Sequence, residues 1–235
     1  MIGNDGAQII VALDVASRRE ATVLVDALLG LTGMFKIGLE LFLAEGPDVV
    51  RAVVDRGGRV FLDLKLHDIP NTVSRAAVEA ARLGVSMLTV HGAGGPEMIA
   101  ATCSALGDAF GEDTPIVAVV TVLTSMDKAD LNRAGVPGSP RDQVLRLADL
   151  ARDSGADGLV CSPMEVRELR ERLGPAMKLT TPGVRMPGQS ADDQKRIATP
   201  ARALSDGADW VVVGRYVNRA PDPRKALLEV IGSLG

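Results

Sequence analysis

Eight short apolar runs, each followed by a stretch of helical period, point to an α/β chain, a (β/α)8 TIM barrel in a single domain over residues 1–235. The runs are about five to eight residues long, rich in Val, Ile and Leu and mostly without alternation, as strands covered on both faces are. Strand and helix signals alternate along the chain, and eight such pairs fit into 235 residues. In order, IIVAL (9–13) precedes ATVLVDALLGL, FKIGLEL (35–41) precedes PDVVRAVVDRG, and VFLDL (60–64) precedes TVSRAAVEAARLG. MLTVH (87–91) precedes PEMIAATCSALG, and IVAVVTVL (116–123) precedes DQVLRLADLARDSG. GLVCS (158–162) precedes PMEVRELRERLG, KLTT (178–181) precedes PARALSDGA, and WVVVG (210–214) precedes PRKALLEVIGSLG. The helical stretches place apolar residues at i, i+3, i+4, and several end in Gly, the usual stop signal. A doubly wound sheet is the alternative, but VALDVASRRE follows the first run without a G-x-G-x-x-G turn. Two strand-to-helix loops are long, TSMDKADLNRAGVPGSP after the fifth strand and GVRMPGQSADDQKRIATP after the seventh. In this fold such loops lie on the C-terminal face, where active sites are built.

Composition narrows the function. Hydrophobic residues at 46% and charged residues at 24% describe an ordinary globular chain rather than a disordered one. The net charge of -4 gives no general attraction to nucleic acid or an anionic membrane, and 3% aromatics are too few for base-stacking platforms. MIGNDGAQIIVALD carries no basic leader region, and no apolar run approaches the ~18 residues of a membrane span. A cytoplasmic protein without membrane or nucleic-acid partners is expected. Cys103 and Cys161 stand far apart with no Cys-x-x-Cys, and the two histidines form no His-x-x-x-His. Neither a disulfide framework nor a metal site is expected.

The densest chemical cluster is VFLDLKLHDIPNT, residues 60–72. Asp63 and Lys65 are two apart on a strand and so face one side, the barrel mouth. A single Asp–Lys pair at a strand end is commonly a solvated salt bridge worth little. Asp63, Lys65 and Asp68 set among apolar neighbours are costly unless they pair or work. Lys36, in the apolar MFKIGLEL, belongs to the adjacent strand and can meet Asp63 and Lys65, completing an alternating Lys-Asp-Lys-Asp set. Alone it reads as a snorkelling lysine. Asp14 ends the first strand at the same mouth, although a terminal Asp is also a common helix cap.

The C-terminal third reads as an anion site. TPGVR carries Arg185 after the seventh strand, and VVVGR carries Gly214 and Arg215 after the eighth, the usual phosphate position of this fold. Gly214 lets a backbone N–H approach an oxyanion, and Arg215 can add bidentate contacts. Gln194 lies in the loop between them. His91 ends the fourth strand with either a mouth or a structural role, and His67 reads as an exposed loop residue.

DLKLHDIPNT (63–72), together with VALD, FKIGLEL, VTVLTSM, TPGVR and ADWVVVGR in that order, closely resembles the orotidine 5′-phosphate decarboxylase family in its bacterial form, over nearly the whole chain. The resemblance implies a homodimeric barrel that converts orotidine 5′-monophosphate to UMP and CO2, the last step of pyrimidine nucleotide synthesis, with no cofactor and no metal. It implies Lys65 as proton donor to C6, Asp63 beside the substrate carboxylate, and Asp68 reaching in from the other subunit, with Lys36 completing the network. By the same resemblance Asp14 and Lys36 contact the ribose region, Thr72 the ribose from across the interface, and Thr124 the pyrimidine edge. Ile69 lines the pocket for CO2, and Arg185, Gln194, Gly214 and Arg215 hold the phosphate. Two physical roles stay open for Asp63, repulsion of the substrate carboxylate and orientation of Lys65.

Two other functions compete. Metal-dependent relatives that act on sugar phosphates share the Asp-x-Lys-x-x-Asp core, but in them, as the family resemblance implies, an acidic residue stands where this chain has Lys36. An ammonium group cannot ligate Mg2+ and repels it. A non-enzymatic phosphate sensor needs the arginines and has no use for the Lys-Asp cluster.

Overall fold

The computed structural model describes residues 6–186 and 198–234. Among these, eight parallel strands close in chain order into a barrel, β1 next to both β2 and β8. They are β1 (Ile9–Ala12), β2 (Met34–Gly38), β3 (Val60–Leu66), β4 (Met87–His91), β5 (Ile116–Val120), β6 (Gly158–Val160), β7 (Lys178–Thr181) and β8 (Trp210–Val213). The helices are α1 (Arg18–Leu28), α2 (Leu39–Glu45), α3 (Pro47–Val54), α4 (Pro70–Ala81), α5 (Pro96–Phe110) and α6 (Lys128–Arg133). After them come α7 (Pro140–Asp153), α8 (Val166–Leu173), α9 (Pro200–Ser205), α10 (Arg215–Asn218) and α11 (Pro223–Gly232).

The single (β/α)8 barrel expected from the strand–helix alternation is the fold observed. Helix starts follow local chemistry. Pro opens α3, α4, α5, α7, α9 and α11, where its missing N–H is of no consequence. Ser17, Asp127, Ser139, Thr199 and Asp222 cap their helices through side-chain oxygens. Boundaries differ from expectation most in two apolar runs. FKIGLEL does not continue as strand to residue 41: β2 ends at Gly38, and Leu39 starts α2. IVAVVTVL leaves the wall after Val120, and the long segment behind it holds α6 behind an Asp127 capping box. Periodicity alone does not separate a short buried strand from a buried helical turn.

Two hydrophobic layers result. The larger packs the outer strand faces against the helices, including Val11, Phe35, Leu62, Leu88, Val119 and Val211. The smaller fills the barrel interior with Ile10, Ala12, Met34, Phe61, Met87, Ala118 and Val212. The strand period of two then dictates what lies above that plug. Two residues beyond Met34, Phe61 and Met87 come Lys36, Asp63 and Thr89, and two beyond Ala12 comes Asp14. The apolar interior thus stops where the charged mouth begins. Phe61 is 1% exposed in this plug. Phe61→Ala is expected to lower the unfolding free energy by about 3–5 kcal/mol, read from urea denaturation midpoints at unchanged slope.

Candidate active site

A cavity of about 630 Å³ opens at the C-terminal end of the strands. Asp14, Lys36, Asp63 and Lys65 line it from the ends of β1 to β3, and Gly183, Arg185, Gly214 and Arg215 from the segments after β7 and β8. Thr124, in the segment after β5, also lines it.

Asp63 is the centre of the charged side. Both of its carboxylate oxygens accept from Lys65 Nζ at 2.9 Å. Lys36 Nζ is 3.9 Å from Asp63 Oδ2 and donates to Asp14 Oδ1 at 3.4 Å. The side chains of Asp63 and Lys36 are only 13% and 14% exposed, Lys65 is 32% exposed, and Asp14 stands half in solvent. The first three are therefore a partly desolvated set, unlike an ordinary surface pair. The Lys36 ammonium stands between the Asp14 and Asp63 carboxylates, and an ammonium group repels a divalent cation. Among the described residues no group of three or more His, Cys, Asp or Glu side chains converges to hold a metal ion.

Strand periodicity paired Asp63 with Lys65 correctly, yet β3 is not a regular strand there. Its register against β4 shifts between Leu62 and Leu66, and Lys65 has φ 50. The Lys65 N–H donates to Thr89 Oγ1 at 2.8 Å, and the Thr89 hydroxyl donates to Asp63 Oδ1 at 3.1 Å. Sequence reasoning passed over Thr89, because Thr in a buried strand is ordinary β-forming composition. Its one signal was parity, since it sits on β4 in the inward phase of Met87. Asn218 was also missed. It lines the cavity and donates from Nδ2 to the Ala12 carbonyl at 2.5 Å, tying α10 to the end of β1.

On the basic side, Arg185 is half-buried and its Nη1 donates to the Val184 carbonyl at 2.9 Å. Arg215 opens α10 directly after Gly214. A Cβ at Gly214 would stand 3.2 Å from Asp14 Oδ2, so a side chain there would crowd the mouth. Gln194 lies outside the described residues. Asp68, Ile69 and Thr72 are not brought to the cavity of their own chain: they are exposed at the start of α4, Ile69 65% so. Asp68 Oδ1 accepts from the Ile69 N–H at 2.6 Å.

A family model for orotidine 5′-phosphate decarboxylase / HUMPS proteins matches residues 7–230. The chain belongs to that family. Orotidine 5′-phosphate decarboxylase of Moorella thermoacetica is 50% identical over 220 residues, 92% of this chain and 87% of the relative. The Vibrio cholerae serotype O1 enzyme of the same name is 47% identical over 227 residues, covering 97% and 98%. Among solved structures, orotidine 5′-phosphate decarboxylase from Lactobacillus acidophilus superposes with a TM-score of 0.84 at 36% identity, over 97% of this chain and 98% of that one. An uncharacterized conserved protein from Geobacillus kaustophilus gives the same TM-score at 34% identity. Family membership agrees with the resemblance carried by residues 63–72. Among the described residues, no helix is long and apolar enough to cross a membrane.

Beside the charged cluster, His91 stacks on His67 with ring centroids 5.3 Å apart, and its Nδ1 accepts from the Ala93 N–H at 3.2 Å. Neither ring lines the cavity, and for His91 this is the structural alternative. Burial, then the neighbouring His67 and Lys65 charges, hold the His91 imidazole below its ordinary value of 6.5. The folded state therefore binds fewer protons than the unfolded state below pH 6.5, and stability falls as pH drops through that window toward the lowered value. In an NMR titration the His91 ring resonance is expected to move with a midpoint below 6.5. His91→Asn is expected to flatten part of the loss of unfolding free energy over the same range.

Proposed function

We propose that the protein decarboxylates orotidine 5′-monophosphate to UMP and CO2 in pyrimidine nucleotide synthesis, without cofactor or metal, as a homodimer with shared active sites. The observation that carries this reading is a lysine ammonium 2.9 Å from both oxygens of Asp63, facing a cavity whose other wall holds Arg185 and Arg215. That arrangement suits a ligand with a reacting anion at one end and a phosphate at the other. The names of the relatives support the substrate.

In this mechanism the bond from C6 to the carboxylate breaks, CO2 leaves, and the electron pair stays on C6. The ring delocalises that pair poorly, so a fixed ammonium beside C6 stabilises the developing charge. Lys65 Nζ then gives its proton to C6 and UMP results. The neutral amine regains a proton from solvent. Asp63 orients Lys65, a role supported by its two equal 2.9 Å contacts. Lys36 and Asp14 hold the ribose, Thr124 the pyrimidine edge, and Arg185, Gln194, Gly214 and Arg215 the phosphate. Asp68, Ile69 and Thr72 serve the partner's cavity. Their exposure at the start of α4 supports this, because each is available to a neighbouring subunit.

The assay is the loss of orotidylate absorbance in the presence of EDTA. Wild-type protein is expected to remain active, and Lys65→Ala and Asp68→Ala to be nearly inactive with the fold intact. An equal mixture of the two variants, unfolded and refolded together, should recover roughly a quarter of the sites, because two-fold geometry gives each mixed dimer one intact site. No recovery despite mixed dimers would place Asp68 in its own chain's site. For the phosphate grip, Arg215→Ala should lower kcat/KM about ten- to a hundredfold, as removal of a hydrogen bond to a charged group does. Part of that loss should fall on kcat, because remote binding energy is drawn on in the transition state. A loss confined to KM would remove the coupling.

A further inference from the structure

Lys65 is the one residue other than glycine with positive φ among the described residues, at φ 50. A lysine backbone in that region is strained, so something must hold it there. The holding group is on β4. Leu62 and Leu66 of β3 pair with Leu88 and Val90, so β3 carries two extra residues across this interval. In the resulting gap the Lys65 N–H finds a side chain, Thr89 Oγ1 at 2.8 Å, and the proton of that hydroxyl goes to Asp63 Oδ1 at 3.1 Å. Thr89 is 0% exposed and does not line the cavity. A hydroxyl has one proton to give and lone pairs to accept with, and here both capacities are used on the two residues of one ion pair.

We propose that Thr89 is a positioning residue for decarboxylation, one buried hydroxyl that fixes the backbone of Lys65 and the carboxylate of Asp63 and so aims the ammonium into the cavity. This rests on the reading of Lys65 as the proton donor. Without the hydroxyl, the Lys65 N–H loses its acceptor, Asp63 loses a donor, and the backbone can relax out of the left-handed region. The Nζ then moves relative to C6, while the arginine side is untouched.

The test is steady-state kinetics on Thr89→Val and Thr89→Ser, with melting temperatures measured alongside. Valine keeps the shape and the β-branch and removes the hydroxyl, whereas serine keeps the hydroxyl. Thr89→Val is expected to lower kcat by about 10- to 100-fold, the scale of a small misplacement of a reacting group. Its KM should stay within about threefold, because the binding contacts lie elsewhere. Thr89→Ser should retain kcat within about threefold of wild type, since serine offers the same donor and acceptor. Full kcat in Thr89→Val, equal losses in both variants, or a loss confined to KM overturns the proposal. If the valine protein does not fold, Thr89→Cys, a weak donor and acceptor, is read by the same kcat-against-KM split. Lys65→Ala run in parallel separates the two levels. If it stays active, the proton-donor reading falls and this proposal with it. If it is inactive while Thr89→Val has full kcat, only the positioning role falls.

Discussion

Charges lifted out of water at the end of a barrel strand are tolerated only as a mutually compensating set, and Asp63 is what makes the set possible here. Its carboxylate is 13% exposed and meets Lys65 at 2.9 Å, Lys36 at 3.9 Å and the Thr89 hydroxyl at 3.1 Å. Remove it and two ammonium groups face each other across a mouth that shields them poorly. Remove either lysine and the carboxylate loses a counter-charge. The strands must therefore deliver β1, β2, β3 and β4 in that order with their inward phases aligned. The pairing of Ala12 with Lys36, Lys36 with Phe61 and Gly38 with Asp63 does this. The apolar plug of Ile10, Met34, Phe61 and Met87 beneath keeps water from approaching from below.

One ion pair does not account for a demanding decarboxylation. Two unit charges ~4 Å apart interact by ~4 kcal/mol at an effective dielectric of about 20. Large enzymatic accelerations require up to ~23 kcal/mol. The difference has to come from groups already in place before reaction and from contacts distant from the bond that breaks. The cavity has the layout for this. Its charged wall is built from β1 to β3 and its basic wall from the ends of β7 and β8, which the closed barrel brings around to lie beside β1. Asn218 reinforces that closure by bonding the Ala12 carbonyl from α10.

The barrel was legible because strand and helix signals alternate with little interruption, and the charged cluster was legible because ionisable residues break apolar runs. The most misjudged strand ends, at Gly38 and Val120, fall where apolar residues continue past the wall into α2 or a loop. Hydrophobicity reports burial there and not backbone direction. The residues brought to the cavity are those on strand ends: Asp14, Lys36, Asp63, Lys65, Arg185, Gly214 and Arg215, with Thr124 beyond β5. Asp68, Ile69 and Thr72 sit within nine residues of Asp63 in sequence and still do not line its cavity, because β3 has ended and they lie exposed where α4 begins. The left-handed Lys65 was invisible, since no Gly or Asn marks it and the cause lies on another strand.

That hidden conformation connects the fold to the chemistry. A strained residue survives only where its surroundings leave it no better alternative. β3 is locked to β4 on both sides of the slip, by Phe61 opposite Met87 and Leu62 opposite Leu88 below and by Leu66 opposite Val90 above. Relaxing Lys65 would therefore require breaking a ladder or exposing the buried Thr89 hydroxyl. The strain is consequently carried by the global stability of the barrel, with Lys65 lining the cavity. A group held in advance needs no reorganisation when charge develops beside it, which is the condition under which a single lysine contributes most.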